Sequence, residues 1–419
     1  MIFNLRRPRQ LSVCVALFAT FVGGSSISFA GLLRVESESL FSGRNGADFK
    51  AEAPMYEFLS SSYVSNPHDF EFNTNFSVFE DPAKSKHQFD LYIFDLAYSP
   101  VQDVLTFRAG RSFNVHTSTR TTTTDSLGAD LALFDKRIKF GTMAGVERKL
   151  LNASLDSTTQ FVSNNIQYRS SSKTPLFLKA KYQFRNVPNL SNQHLVGGSL
   201  QKPFDVAWSP EFLLNSEVNA QTHVLNIGEG GFDLYPTTRL SIRVRGMTYE
   251  SGPQDDVPDP LYSIFSMGRL YEGSLQLDYQ FHSAFSSSVA FAYDDYLLQA
   301  NVRTQGYRAE LGSRFNKNFF AASNTVYYFY SYGGKAFGDR IRLIENLTDK
   351  LEFTQGLDVS DYDKVTSSHR VALNSDAGLG YSFTDRLKLN VGGELNSNNS
   401  LRTDVRGVAK LTYLLWKEI

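Results

Sequence analysis

Residues 274–283 read Ser-Leu-Gln-Leu-Asp-Tyr-Gln-Phe-His-Ser, and this stretch sets the expected fold. Leu275, Leu277, Tyr279 and Phe281 fall on one parity, against Ser274, Gln276, Asp278 and Gln280 on the other. Successive side chains of a β-strand point to opposite faces, so the segment has one apolar face and one wet face. A ring closes the run, and His282 and Ser283 follow as a tight polar turn before apolar residues resume.

The same unit recurs in both directions along the chain. Leu240, Ile242 and Val244 interleave with Ser241, Arg243 and Arg245. Val371, Leu373, Ala377, Leu379, Tyr381 and Phe383 share one parity, against Asn374, Asp376 and Ser382. Residues 70–78, 176–184, 307–315 and 387–395 alternate likewise. Tyr98, Phe134, Tyr235, Phe315 and Phe383 each precede a short polar turn, as Phe281 does. Connections at the opposite strand ends are longer and more polar, at 42–53, 117–124, 250–260, 358–367 and 396–402. Short turns edged by rings on one side and long loops on the other is the asymmetry of an outer-membrane barrel.

The expected fold is therefore all-β: a transmembrane, antiparallel, up-and-down β-barrel. Tyr98, Phe134, Tyr235, Phe281, Phe315 and Phe383 would form its periplasmic aromatic girdle. Further short turns near 65–68, 170–174, 203–209 and 347–349 bring the count to about 22 strands. The turns at 203–209 and 347–349 are weakly patterned, and assigning them to outer loops removes strands in pairs. The range is about 18 to 22, with 20 at its middle.

Composition supports a polar-lined barrel and excludes several classes. Aromatic residues make up 14% of the chain, with 34 Phe and 21 Tyr against two Trp. The mean hydropathy of −0.27 is too polar for a bundle of membrane helices. A net charge of −1 gives no broad field for nucleic acid, so none is expected as a partner. Cys14 is the only cysteine, which excludes disulfides and thiolate metal sites from the mature chain.

The first thirty residues read as a cleaved signal peptide. Arg6, Arg7 and Arg9 precede the apolar run 11–22, and Ser28-Phe29-Ala30 offers a small-x-small cleavage site. The run is short of the roughly 20 residues a spanning helix needs. Residues 31–419 would then be the barrel, exported unfolded and placed in the cell outer membrane.

Gly110-Arg111, the run Asp125-Ser126-Leu127-Gly128-Ala129-Asp130, Phe140-Gly141 and Gly145 together resemble Gram-negative porins and alginate-export-type barrels. The motif covers only about a tenth of the chain, whereas the general plan resembles such barrels along nearly all of it. The resemblance implies outer-membrane lipid and lipopolysaccharide as surroundings and the barrel-assembly machinery as a partner in biogenesis. Such proteins often end in an aromatic residue. This chain carries Tyr413 and Trp416 in its last expected strand but stops at Ile419.

The polar parity supplies the lumen-facing candidates. The basic ones are Lys179, Lys181, Arg243, Arg245, Arg308 and Arg314, with Arg108, Lys139, Lys388 and Arg406. Glu36, Glu38, Glu71, Asp90, Asp130, Glu147, Asp278, Glu310, Asp376 and Glu394 balance them. Nearly equal signs imply a wet wall of cross-strand ion pairs. A sharper alternative makes Lys179, Lys181, Arg243 and Arg245 a basic stripe for anionic solutes. No zinc-protease, nucleophile-elbow or phosphate-loop motif is present, so neither catalysis nor a cofactor is expected. His116, Ser118 and Asp125 could be drawn as a hydrolase trio, and Asp255, Asp256 and Asp259 as a surface cation site. Both read more simply as polar loop residues.

The leading expectation is a channel for small hydrophilic solutes or ions. The alternatives are the outlet of a polysaccharide or multi-component export system, and a structural or adhesive barrel. Alternation beginning near Leu32 leaves no room for a separate plug within this sequence. Self-association and export partners stay open.

Overall fold

The computed structural model describes residues 31–418 except 46–50, 53, 66–68, 82–85, 116–120, 149–158, 188–191, 251–268, 298–301, 332–333, 364–370 and 399–402. The expected signal peptide, His116, Ser118 and the aspartates at 255, 256 and 259 lie outside the described residues. Every described residue belongs to a strand or to a connection between neighbouring strands, and no helix occurs among them.

Each strand pairs antiparallel with the next, from Gly31–Asn45 to Asp404–Glu418. The first and last strands then pair with each other, Leu32 opposite Glu418 through to Arg44 opposite Arg406. The sheet is thereby closed, and neither terminal strand is left as a free edge. Of the 23 strand segments, Ala51–Glu52 and Met55–Ser65 both pair with Gly31–Asn45 and form one interrupted strand, leaving 22 in the barrel. Pro54 sits at the interruption because it has no N–H to give the ladder. Its carbonyl still accepts a bond from the Ser42 amide at 3.0 Å.

The count is thus 22, at the upper end of the expected range and two above its middle. The difference lies in the turns at 204–210 and 347–350, which join strands on the same rim as the other short turns. Phe204, Val206, Trp208 and Leu347 are all exposed in them. Apolar residues at a membrane rim disguise a turn that polarity would otherwise reveal.

The two rims differ less cleanly than the sequence suggests. Long gaps between strands fall on one rim, notably 149–159 and 251–268. The same rim also carries the short gaps at 220–223 and 332–333. Strands run further towards this rim than expected, since Thr121–Leu133 starts inside a Thr-rich stretch read as loop. Threonine is β-branched and favours an extended backbone.

Cross-strand pairing fixes which side chains share a face. Leu275, Leu277 and Tyr279 lie opposite Val244, Ile242 and Leu240, and on the other side opposite Phe291, Val289 and Ser287. This apolar face continues around the wall and exposes its large side chains, among them Leu127, Leu311, Leu379 and Val391. Rings mark both of its edges. On Arg269–His282, Tyr279 and Phe281 pack edge-on at 4.7 Å near the short-turn rim, and Tyr271 lies near the other end. The nine residues from Tyr271 to Tyr279 span about 20 Å, at roughly 3.3 Å per step and a tilt of about 40°. Near the long-loop rim Tyr307 stacks on Tyr328 and Tyr330 at 5.7 and 5.1 Å. An apolar belt edged by rings, around a closed sheet, makes this an outer-membrane barrel with its apolar face to lipid.

Candidate functional site

The opposite face turns inward and carries the chemistry. Arg243 and Arg245 occupy the same strand face because they are two residues apart. Arg243 meets Asp278 at 3.0 Å, and Arg245 meets Asp233 at 2.7 Å. Arg308 reaches Glu272 at 2.5 Å and Asp294 at 3.5 Å, bridging towards the two preceding strands. Arg108 sits between Asp95 and Asp130, at 3.6 and 3.3 Å. Arg340 pairs with Asp358 at 2.9 Å, Lys388 with Glu352 at 3.4 Å, and Lys410 with Glu38 at 2.6 Å. Arg406 lies 2.7 Å from Asp404 and 3.9 Å from Glu394. Most of these arginines are half-exposed, so the pairs are solvated and each contributes about 1 kcal/mol or less.

One pair is different. Arg185 grips Glu147 through Nε at 2.8 Å and through a terminal nitrogen at 2.6 Å, and its other terminal nitrogen donates to Gln193 at 2.6 Å. The side chains are 12% and 9% exposed. They span the intervening strand, whose Phe161 faces both Gly145 and Arg185 and is 2% exposed. The ion pair roofs a buried ring against the wall.

The basic candidates divide by this geometry. Arg243, Arg245 and Arg308 are neutralised by carboxylates. Lys179 and Arg314 make no ion pair or hydrogen bond among the described residues. Lys179 and Lys139 flank Gln167, while Arg314 and Arg342 flank Ser323. Lys179 and Lys181 are parted from Arg243 and Arg245 by three strands, which bring Glu217, Glu229 and Asp233 between them. These four cations therefore do not form one stripe.

Arg185, Arg340, Arg342 and most carboxylate partners lie outside the set of candidates that the polar parity supplies. Arg340 and Arg342 alternate with Ile341 and Leu343 as Arg243 and Arg245 do with their neighbours, so that signal was present. Arg185 stands alone at a strand end, and nothing local points to Glu147.

The six rings expected to form a girdle lie within a few residues of short turns, all exposed. Phe134 itself enters the turn, at the head of three consecutive residues with φ of 52, 53 and 65°. The Gly110-Arg111 motif closes on itself. Arg111 holds Asp125 through two bonds of 2.6 and 3.0 Å and donates to the Leu91 carbonyl at 3.0 Å. Gly110 has φ of 129°, a value L-residues rarely adopt. Asp125 is thus engaged by Arg111 rather than by a histidine among the described residues. Among the described residues no three metal-ligating side chains gather.

The inner wall also holds a recess of about 420 Å³ between the strands Phe177–Asn186 and Val224–Thr237. Lys179 and Lys181 stand on one side, Glu217 and Glu229 on the other, and Gly197 and Ser199 form part of the floor.

No family model and no curated protein matches the chain. Solved structures do share the fold. The siderophore receptor PirA of Pseudomonas aeruginosa superposes with a TM-score of 0.63 at 12% identity, covering 91% of this chain and 80% of that one. A mutant of the ferric enterobactin receptor PfeA from the same organism gives 0.63 at 9% identity, with coverage of 91% and 80%. PirA of Acinetobacter baumannii gives 0.59 at 8% identity, again over 91% and 80%. These likenesses show the fold alone, that of a closed outer-membrane-type β-barrel.

Proposed function

We propose that the protein is an outer-membrane transport barrel whose water-filled lumen passes small hydrophilic solutes or ions. One observation carries the reading: the inward side chains form a hydrated wall of ion pairs rather than a core. Among the described residues the buried apolar side chains are few and scattered around the wall, such as Leu33, Leu195, Ile227 and Tyr327. A barrel of 22 strands at about 4.8 Å spacing and 40° tilt has a backbone diameter of about 45 Å, enough for an aqueous lumen. The structures that share the fold are named as siderophore and ferric enterobactin receptors, and their ligands are not carried over at such low identity.

Paired charges at Arg243, Arg245 and Arg308 keep the wall near neutral, so selectivity between small ions is weak. Lys179, Lys181 and Arg314 add basic character locally. Tyr98, Phe134, Tyr235, Phe281, Phe315 and Phe383 anchor the periplasmic edge in lipid headgroups. No catalytic step or cofactor enters this function. Reconstitution in planar bilayers tests it. Steady ohmic conductance in potassium chloride with a permeability ratio near one is expected. A barrel that stays closed under all voltages refutes passive passage and favours an export outlet gated by partners.

A further inference from the structure

We infer that the wall recess between Phe177–Asn186 and Val224–Thr237 binds a small zwitterion, a short peptide with free amino and carboxyl ends. The inference rests on the reading of the lumen as open to water, and it names the solute class that this wall would select.

The recess is polarised along one row of paired residues. Lys179 lies opposite Ser199, Ser199 opposite Asn215, and Asn215 opposite Glu229. Three strand spacings of about 4.8 Å separate the end residues by about 14 Å at the backbone. Inward reach of the two side chains shortens that gap to the span of roughly two to four extended residues, at about 3.5 Å each. Small side chains keep the middle open. A β-carbon on Gly197 would come within 3.2 Å of the Ser216 carbonyl oxygen, so glycine leaves the floor bare there.

Both ends are uncompensated, in contrast to most of the wall. Lys179 makes no ion pair among the described residues, and its neighbour across Gln167 is another cation, Lys139. Glu229 makes none either, and lies between Asn215 and Met247. Glu217 adds negative charge on the same side and is held by the Asn226 amide at 3.0 Å. An anion entering the recess is drawn to Lys179 but repelled by Glu229, and a cation meets the reverse. A neutral sugar answers neither charge and finds no aromatic ring in the lining to stack on. A peptide satisfies both ends at once, with its carboxylate at Lys179 and its ammonium at Glu229.

The test is titration calorimetry of the whole protein in detergent with triglycine, N-acetyl-triglycine and triglycine amide. Triglycine should bind about tenfold tighter than either blocked form, the equivalent of one charged contact. Lys179→Gln and Glu229→Gln should each weaken triglycine about tenfold. The exchange Lys179→Glu with Glu229→Lys should restore affinity, because the peptide can reverse. Equal binding of blocked and free peptides, or unchanged affinity in both single variants, overturns the inference. Should a variant misfold, the comparison of peptides on the unaltered protein still decides. Peptide binding without bilayer conductance sinks the open-lumen reading and spares the recess. Conductance without binding does the opposite.

Discussion

Replacing Glu147 by alanine tests whether the most buried ion pair among the described residues is structural. The substitution strips Arg185 of two charge-assisted bonds, at 2.8 and 2.6 Å, in a site where the arginine side chain is only 12% exposed. Gln193 remains its one partner. Two such bonds at about 1.5 kcal/mol each give a loss of about 3 kcal/mol, the lower end of the range for breaking a buried pair. The cost is chiefly that of a stranded cation, so removing both charges should be gentler. Glu147→Leu with Arg185→Met keeps Phe161 covered and should fall within about 1 kcal/mol of the unaltered barrel. Urea unfolding in lipid vesicles, followed by the mobility of unheated protein on gels, measures all three. Glu36→Ala is the control, because Arg34–Glu36 is a solvated pair of 45% and 29% exposure and should change stability by less than about 1 kcal/mol. A Glu147→Ala variant no weaker than this control would falsify the assignment, as would additive losses in the double variant.

Two other substitutions probe the wall. Gly110→Ala should abolish or sharply reduce the folded, gel-shifted form, since φ is 129° and an added β-carbon would run into the Phe94 carbonyl. Gly43→Ala, where nothing lies within 4 Å, should be tolerated in the same assay. Asp339 shares the lipid-facing parity with Phe337 and Ile341 and takes a 2.6 Å bond from Asn324. Asp339→Val with Asn324→Val should raise the urea midpoint, by about 1–2 kcal/mol in stability. A loss of stability, with a smaller particle by light scattering, would mean that another protein covers this face.

The barrel was legible because its signal is short-ranged. Parity in 274–281 and 240–245 assigns faces without knowledge of any partner, and a membrane wall needs nothing more to decide inside from outside. What stayed hidden depends on neighbours. Asp233 and Arg245 meet across a hairpin, whereas Glu147 and Arg185 meet over a third strand, and no spacing in the sequence marks either. The cations Lys179 and Arg245 look alike in the sequence and differ only because Asp233 faces one of them. The turn at 204–210 was obscured for the opposite reason. Its Phe204, Val206 and Trp208 obey the chemistry of the membrane rim rather than that of a turn.

Pairing of Leu32 with Glu418 makes two strands that are far apart in the sequence immediate neighbours. Until residues 404–418 take their place beside residues 31–45, the wall is an unsealed sheet with two bare margins, whatever the order in which the other strands pair. Assembly is consequently all-or-nothing at this junction. A sheet that lacks residues 404–418 keeps both margins unpaired in lipid, and no smaller closed pore follows from it.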